Sequence, residues 1–383
     1  MGRLSLVLAD GDTEYLGKLE RYIIVNYPQR FDIISFASNE KLAGYLDSNG
    51  KADIMLVGKE LMQVGPITAN QAKTVILDGG GEKPVLPGYD TVEKYQHADR
   101  LVADILRLYA ARGIVDCSIP GRHRTQVICV CSPCGGSGKS SIAAGCAVIC
   151  ESRGSRAFYL NLESVPSTEM FFHSEFPSEQ SFSNVIYHLK GKYGNMGLKL
   201  EGASNMDSKT GVRYFRPPEK LSEMNELTEQ DITLLLDTFK KSAAYDTVFV
   251  DTGSGFSQTN TAVMKLADVI LLICTPGQGA SVKYKEFIKA IEDIGDSCEA
   301  RRNERLLPVL NRVVAGRDTI SVFPGEFEPA AVIPECQGGE PGSGYQVLTE
   351  NPAFLSGIGT LCGYVLPGRA DTAHPGGGEN LAV

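Results

Sequence analysis

The chain has 383 residues, 43% of them hydrophobic, which suffices for two ordinary domains with separate cores and exceeds what one domain usually holds. A formal net charge of -9 argues against a general binder of nucleic acid or anionic membranes. The opening MGRLSLVLAD has no basic segment followed by a long apolar run, and no stretch reaches about 18 uninterrupted apolar residues, so a cytoplasmic, non-spanning protein is expected.

A strand is predicted from Leu4 to Asp10, then a helix from Tyr15 to Tyr27 closed by Pro28. FDIISF follows as a strand, SNEKLAGYLDSNG as a helix, ADIMLVG and KTVILDG as strands, and HADRLVADILRLYAARG as a helix. This alternation predicts a small α/β domain over residues 1–112. GIVDCSIPGRHRT has no periodicity and carries Pro, Gly and basic residues, which places a linker at 113–124.

The second unit, residues 125–367, opens with the strand QVICVC, a Gly-rich loop and a helix from about Ser140 to Ser152. The strand AFYLNL comes next, then a long polar and aromatic stretch. Helix DITLLLDTFKKSA, strand YDTVFVD, helix TNTAVMKLA, strand DVILLICT, helix SVKYKEFIKAIEDI and strand LLPVLNR complete it. The expected architecture is α/β, a mainly parallel sheet covered by helices on both faces. The Gly-rich, polar residues 368–383 read as a disordered tail.

The ten cysteines sit mostly in apolar runs rather than at metal-finger spacing, which predicts reduced, buried thiols. In VICVC, alternation puts Cys129 and Cys131 on one face of a strand, and no nearby His completes a metal set with Cys134, so packing is the expectation.

Residues 132–141, SPCGGSGKSS, carry the chemistry. Gly135, Gly136 and Gly138 let backbone N–H groups approach phosphates, and the following helix N-terminus adds partial positive charge. Lys139 is placed to reach the β- and γ-phosphates, and Ser140 to coordinate Mg²⁺. Asp251 ends the apolar strand of YDTVFVDTGSG, where a carboxylate can hold the same Mg²⁺ through water. A Gly-rich turn with a helix cap is the bland alternative for the loop, and a strand-end cap for Asp251.

CGGSGKSS, NLE at the next strand end, VFVDTGSG, ADVILLICTP and VLNR together resemble the deviant Walker A ATPases of the ParA/MinD superfamily, over residues 125 to about 365. The resemblance implies ATP and Mg²⁺ as ligands. Nucleotide contacts would then come from Cys134, Gly135, Gly136, Ser137, Gly138, Lys139, Ser140, Ser141 and Asn311, and metal contacts from Ser140 and Asp251. In that superfamily the loop reads KGGxGK[ST], and its first Lys reaches across a dimer interface to the partner's nucleotide. Here that position is Cys134, so binding without fast hydrolysis is expected. The superfamily's strand-end DxD falls on Asn161 and Glu163, which leaves Glu163 to orient water beside Lys139. Asn311 matches an adenine contact, with a loop-capping Asn as the alternative.

The front domain resembles a response-regulator receiver. Asp10 and Asp12 match its acidic pair and Lys94 its Lys, but Gly58 stands where the phosphoacceptor Asp belongs and Asp78 where Ser or Thr is expected. With no carboxylate nucleophile, this is an atypical receiver expected to dock partners or to dimerise. An atypical receiver before a ParA/MinD-type ATPase is the layout of the CpaE/TadZ family. That resemblance implies an ATP-linked homodimer that localises or assembles Tad (Flp) pilus secretion machinery. Pilus and secretion assembly proteins would bind through the receiver-like domain, with recruitment to a cell pole or to membrane machinery. The competing reading is a MinD- or ParA-type division or partitioning ATPase. It calls for a membrane-anchoring helix or a DNA-facing basic patch, and the sequence makes neither evident.

Overall fold

Runs such as LSLVLA and IMLVG have no polar face, so both sides of any sheet they form must be covered. The computed structural model describes residues 3–27, 30–48, 50–64, 72–80, 88–110, 125–175, 177–191, 195–242, 244–294, 306–314, 329–335 and 344–365. The predicted linker 113–124 and tail 368–383 lie outside them.

In the front lobe, β1 (Leu4–Ala9), β2 (Phe31–Phe36), β3 (Ile54–Gly58), β4 (Lys73–Asp78) and β5 (Asp90–Glu93) form one sheet in the order β2-β1-β3-β4-β5. Every pairing is parallel. This is the flavodoxin-type doubly wound order. Helices α1 (Thr13–Asn26) and α3 (Ala98–Ala110) bury Leu16, Leu19, Leu101 and Ile105 on one face. Leu42 of α2 (Asn39–Asp47) packs on the other face with Met55 and Val57. The Asp12 carboxylate caps α1 by accepting the Tyr15 N–H at 3.0 Å. Among the described residues no α-helix joins β3 to β4 or β4 to β5; a 3₁₀ turn, Leu61–Val64, follows β3.

The large lobe is built on an eight-stranded sheet. Its strands in chain order are β6 (Gln126–Cys131), β7 (Ala157–Asn161), β8 (Asn205–Met206), β9 (Arg213–Tyr214), β10 (Thr247–Asp251), β11 (Val269–Cys274), β12 (Leu306–Val313) and β13 (Ala331–Pro334). Their spatial order is β13-β12-β11-β6-β10-β7-β9-β8, parallel except for β8 against β9. One face is packed by α5 (Phe182–Gly191), α6 (Met196–Ala203), α7 (Glu229–Ser242), α8 (Gln258–Leu266) and α9 (Gln278–Ile294). The other is packed by α4 (Lys139–Ser152), α10 (Gly344–Glu350) and α11 (Pro352–Val365). As expected, Cys129 and Cys131 share one face, in the same core cluster.

The stretch read as merely polar and aromatic holds α5, α6, β8 and β9. Helix α5 carries a buried stripe at Phe182, Val185, Ile186 and Leu189, whereas β8 and β9 have two residues each and show no period. β5, β13, α10 and α11 were also not expected. β5 reads DTVE with only Val92 buried, which leaves it without an alternating pattern.

The lobes meet through buried polar groups. Arg30 Nε donates to Glu201 Oε2 at 2.7 Å, and a second guanidinium nitrogen engages the other carboxylate oxygen, both residues being buried. Arg213 lies 3.8 Å from Asp99 and 4.7 Å over the Tyr27 ring, while the Tyr22 and Tyr27 hydroxyls both donate to Asp99. Leu198 of α6 joins the front core, and a Cβ at Gly202 would come 3.3 Å from the Ala103 carbonyl oxygen. Removing one member of such a buried pair leaves its partner's charge uncompensated. Glu201→Ala should therefore cost about 3–5 kcal/mol in urea denaturation, and Glu201→Gln, which keeps an acceptor for Arg30, should cost less.

Candidate functional site

The loop after β6 is shaped by its glycines and pinned from the side. Ser132 Oγ accepts the Cys134 N–H at 3.2 Å. Gly136 has φ 68° and Gly138 φ 90°, the left-handed region that glycine enters without cost. A Cβ on Gly138 would also lie 2.3 Å from Asn311 Nδ2, which donates to the Ser137 carbonyl at 2.8 Å. Asn311 thus braces the loop from the end of β12, and its amide nitrogen is engaged there. Around Gly135 and Gly136 there is open space, with no atom within 4 Å of an added Cβ. The loop leads into α4, whose first residue, Lys139, is 5% exposed and donates from Nζ to Ser254 Oγ at 3.2 Å.

Opposite the loop are two strand ends. Asp251, fully buried at the end of β10, accepts from the Tyr159 hydroxyl at 2.8 Å and from Asn161 Nδ2 at 3.3 Å, both at Oδ2. Its other oxygen, Oδ1, is buried with no hydrogen-bond partner. Burial, and next the charge of Glu163, push its pKa up to about 7 against the nearby Ser140 and Tyr159 hydroxyls and the Lys139 ammonium. Glu163 Oε2 accepts from Ser140 and Ser167, each at 3.4 Å, and its own N–H is held by Asn161 Oδ1 at 2.8 Å. Thr252 Oγ1 donates to the Val130 carbonyl at 2.9 Å, tying the end of β10 to β6. Asn260 Nδ2 donates to the carbonyls of Gly253 at 3.0 Å and Gly255 at 2.9 Å, which fixes the turn that presents Ser254.

The sequence-predicted residues from Cys134 to Ser141 all fall on this loop and the first turn of α4, with Asp251, Glu163, Asn161 and Asn311 around it. Cys134 is half-buried and packs against the core cluster that contains Cys274 and Tyr284. Tyr159, Ser167 and Ser254 were missed. Tyr159 precedes Asn161 by two residues on β7, so strand alternation put it on the same face. The residues suit an anion at the helix N-terminus, contacted by loop N–H groups and Lys139. Ser140 and the partnerless Asp251 oxygen suit a hard divalent cation. Among the described residues no cluster of three His, Cys, Asp or Glu could hold a metal ion.

The front sheet end differs. Asp10 is fully buried, accepts from Lys94 Nζ at 2.7 Å and from the Asp12 N–H at 2.8 Å, and burial raises its pKa. A Cβ at Gly58 would lie 2.7 Å from Asp10 Oδ2 and 2.8 Å from Glu60 Oε1. A phosphoacceptor side chain at position 58 would require the Asp10 and Glu60 carboxylates to move aside. Asp78 is paired instead with Lys59 at 3.2 Å.

No protein-family model matches the chain, and no curated protein is similar to it. Among solved structures it is similar to the cell division ATPase MinD of Pyrococcus furiosus, at 17% identity over 63% of this chain and 98% of that one, TM-score 0.45. It is also similar to a ParA family ATPase of Chlorobium tepidum, at 15% identity over 62% of this chain and 98% of that one, TM-score 0.48. A third is the MinD cell division protein of Aquifex aeolicus, at 17% identity over 62% of this chain and 95% of that one, TM-score 0.48. Among the described residues no helix is long and apolar enough to cross a membrane.

Two outcomes follow from the geometry. Gly138→Ala should cost about 1–2 kcal/mol from the left-handed backbone alone, more from the clash with Asn311, and thermal melts would record it. Asp251 holds its proton to about pH 7 in the folded chain, against an ordinary value of 3.8. The folded state therefore binds more protons in that window, and stability from this group falls as pH rises from about 4 to about 7. Asp251→Asn should remove that fall, gaining on the wild type across the window in melts taken as a function of pH.

Proposed function

We propose that the large lobe, residues 125–367, binds ATP with Mg²⁺ and hydrolyses it slowly or not at all. One observation carries this reading. A left-handed Gly138, a buried Lys139 and an Asp251 with one partnerless carboxylate oxygen converge at the N-terminus of a helix that follows a central parallel strand.

The loop N–H groups and Lys139 hold and orient the phosphates in a cradle braced by Asn311 and Ser132. Ser140 Oγ and Asp251 Oδ1 would hold Mg²⁺, which when bound neutralises charge on the phosphate oxygens. A cation held beside Asp251 would favour its carboxylate, so loading the site would release a proton below about pH 7. Glu163, tied to Ser140 and supported by Ser167, is the group that can orient an attacking water. Cys134 stands where a loop cation would stabilise charge in the transition state. That favours holding ATP over rapid turnover.

The finer reading rests on the sequence resemblance to the CpaE/TadZ family. In it, ATP-linked homodimerisation localises or assembles Tad (Flp) pilus secretion machinery, and the front lobe, residues 1–112, meets the assembly proteins. The packed Gly58 supports a front lobe that acts without phosphorylation.

Binding of a fluorescent ATP analogue with Mg²⁺ tests the core of the proposal. Wild type should bind, and Lys139→Ala should lose at least tenfold in affinity, about 1.4 kcal/mol; equal binding would remove the nucleotide reading. Turnover measured beside Cys134→Lys should be slow in the wild type and faster in the variant. Sedimentation with and without Mg-ATP tests dimerisation, and a chain that binds ATP yet stays monomeric would eliminate the switch.

A further inference from the structure

Three thiols that play no part in the phosphate site are gathered at one contact between helices. Cys146 and Cys150 are four residues apart on α4 and therefore lie on one face of it. Cys362 of α11 sits against that face. Its Sγ lies 3.9 Å from the Cys146 carbonyl oxygen, and it interacts electrostatically with both other thiols. All three are buried, and all three are free.

Close packing sets this approach. A Cβ on Gly145 would fall 2.9 Å from the Phe354 ring of α11 and 3.4 Å from Ile358, so glycine at that position lets the two helices touch. Burial keeps all three thiols away from dissolved oxidant while the helices are packed. Helix α11 belongs to neither sheet, although Phe354, Ile358 and Leu361 bury it in the core, so a local opening that lifts it breaks no strand pairing. Once it lifts, the thiols meet water and whatever oxidant is dissolved there.

We propose that these cysteines form a redox clasp, in which peroxide oxidation joins Cys362 to Cys146 or Cys150 and fastens α11 to the helix that carries the phosphate loop. One thiol attacks the peroxide, breaking its O–O bond to give a sulfenic acid and water. The second thiol displaces the hydroxyl from sulfur, forming the S–S bond and a second water. Two thiols lose two protons and two electrons, and the peroxide takes up both. The clasp closes a loop of more than 200 residues in the unfolded chain, where cross-links constrain most.

The full chain, first reduced and then exposed to hydrogen peroxide, should yield a peptide in which Cys362 is linked to Cys146 or Cys150 on non-reducing mapping. Its Tm should rise by about 5 °C and return on reduction. Cys362→Ala should show neither change. The proposal fails if Cys362 stays unlinked while the half-buried Cys134 oxidises, or if Cys362→Ala gains the same Tm. Should that variant not fold, mapping of the wild type decides alone.

Discussion

A buried carboxyl group with one satisfied oxygen organises the large lobe. Asp251 ends a strand that is apolar on both faces, so its charge has no route to water within the sheet. Two residues of the adjacent strand meet one side of it: the Tyr159 hydroxyl and the Asn161 amide. The loop and α4 bring Ser140 and Lys139 to the other side. Parallel strands buried on both faces can place polar groups only at their ends, and in α/β sheets those ends are where ligands bind. Register does the rest, since Asp251 pairs with Val130 on one side and Asn161 on the other, which sets glycine-rich loop and acid at one level.

Much of this was legible because the signals are local. A strand, then glycines, then Lys-Ser opening a helix fixes Lys139 and Ser140, and an apolar run closing in Asp fixes Asp251. The neighbours in space but not in sequence were harder. Asn311 reads as an Asn at a strand end, and only its hydrogen bond to Ser137 shows that it braces a loop 174 residues earlier. Short elements also escaped, because a two-residue strand such as β9 has no periodicity to detect. The front lobe was read as a run of alternating elements, yet β5 was missed, since a polar edge strand needs only one buried residue, Val92.

The two lobes handle their buried charge differently. At the large sheet's end an oxygen is left without a partner, and space opens beside the loop glycines. At the front sheet's end Lys94 occupies Asp10, the Tyr15 and Tyr95 rings flank the ammonium at 5.1 and 5.3 Å, and Gly58 gives way to the carboxylates themselves. The first arrangement leaves an acceptor and open space unused by the chain itself. The second is already filled by the chain's own groups, so its chemistry is spent on structure.

The pairing of Arg30 with Glu201 also bears on how the chain is made. The two residues are 171 positions apart, so during synthesis the front lobe emerges long before its partner carboxylate exists. Until then Arg30 stays hydrated, and the surface around Leu198's future position stays uncovered. The front lobe can reach its final packing only when α6 has left the ribosome. Maturation of the first third of the protein is thereby timed by the synthesis of its middle.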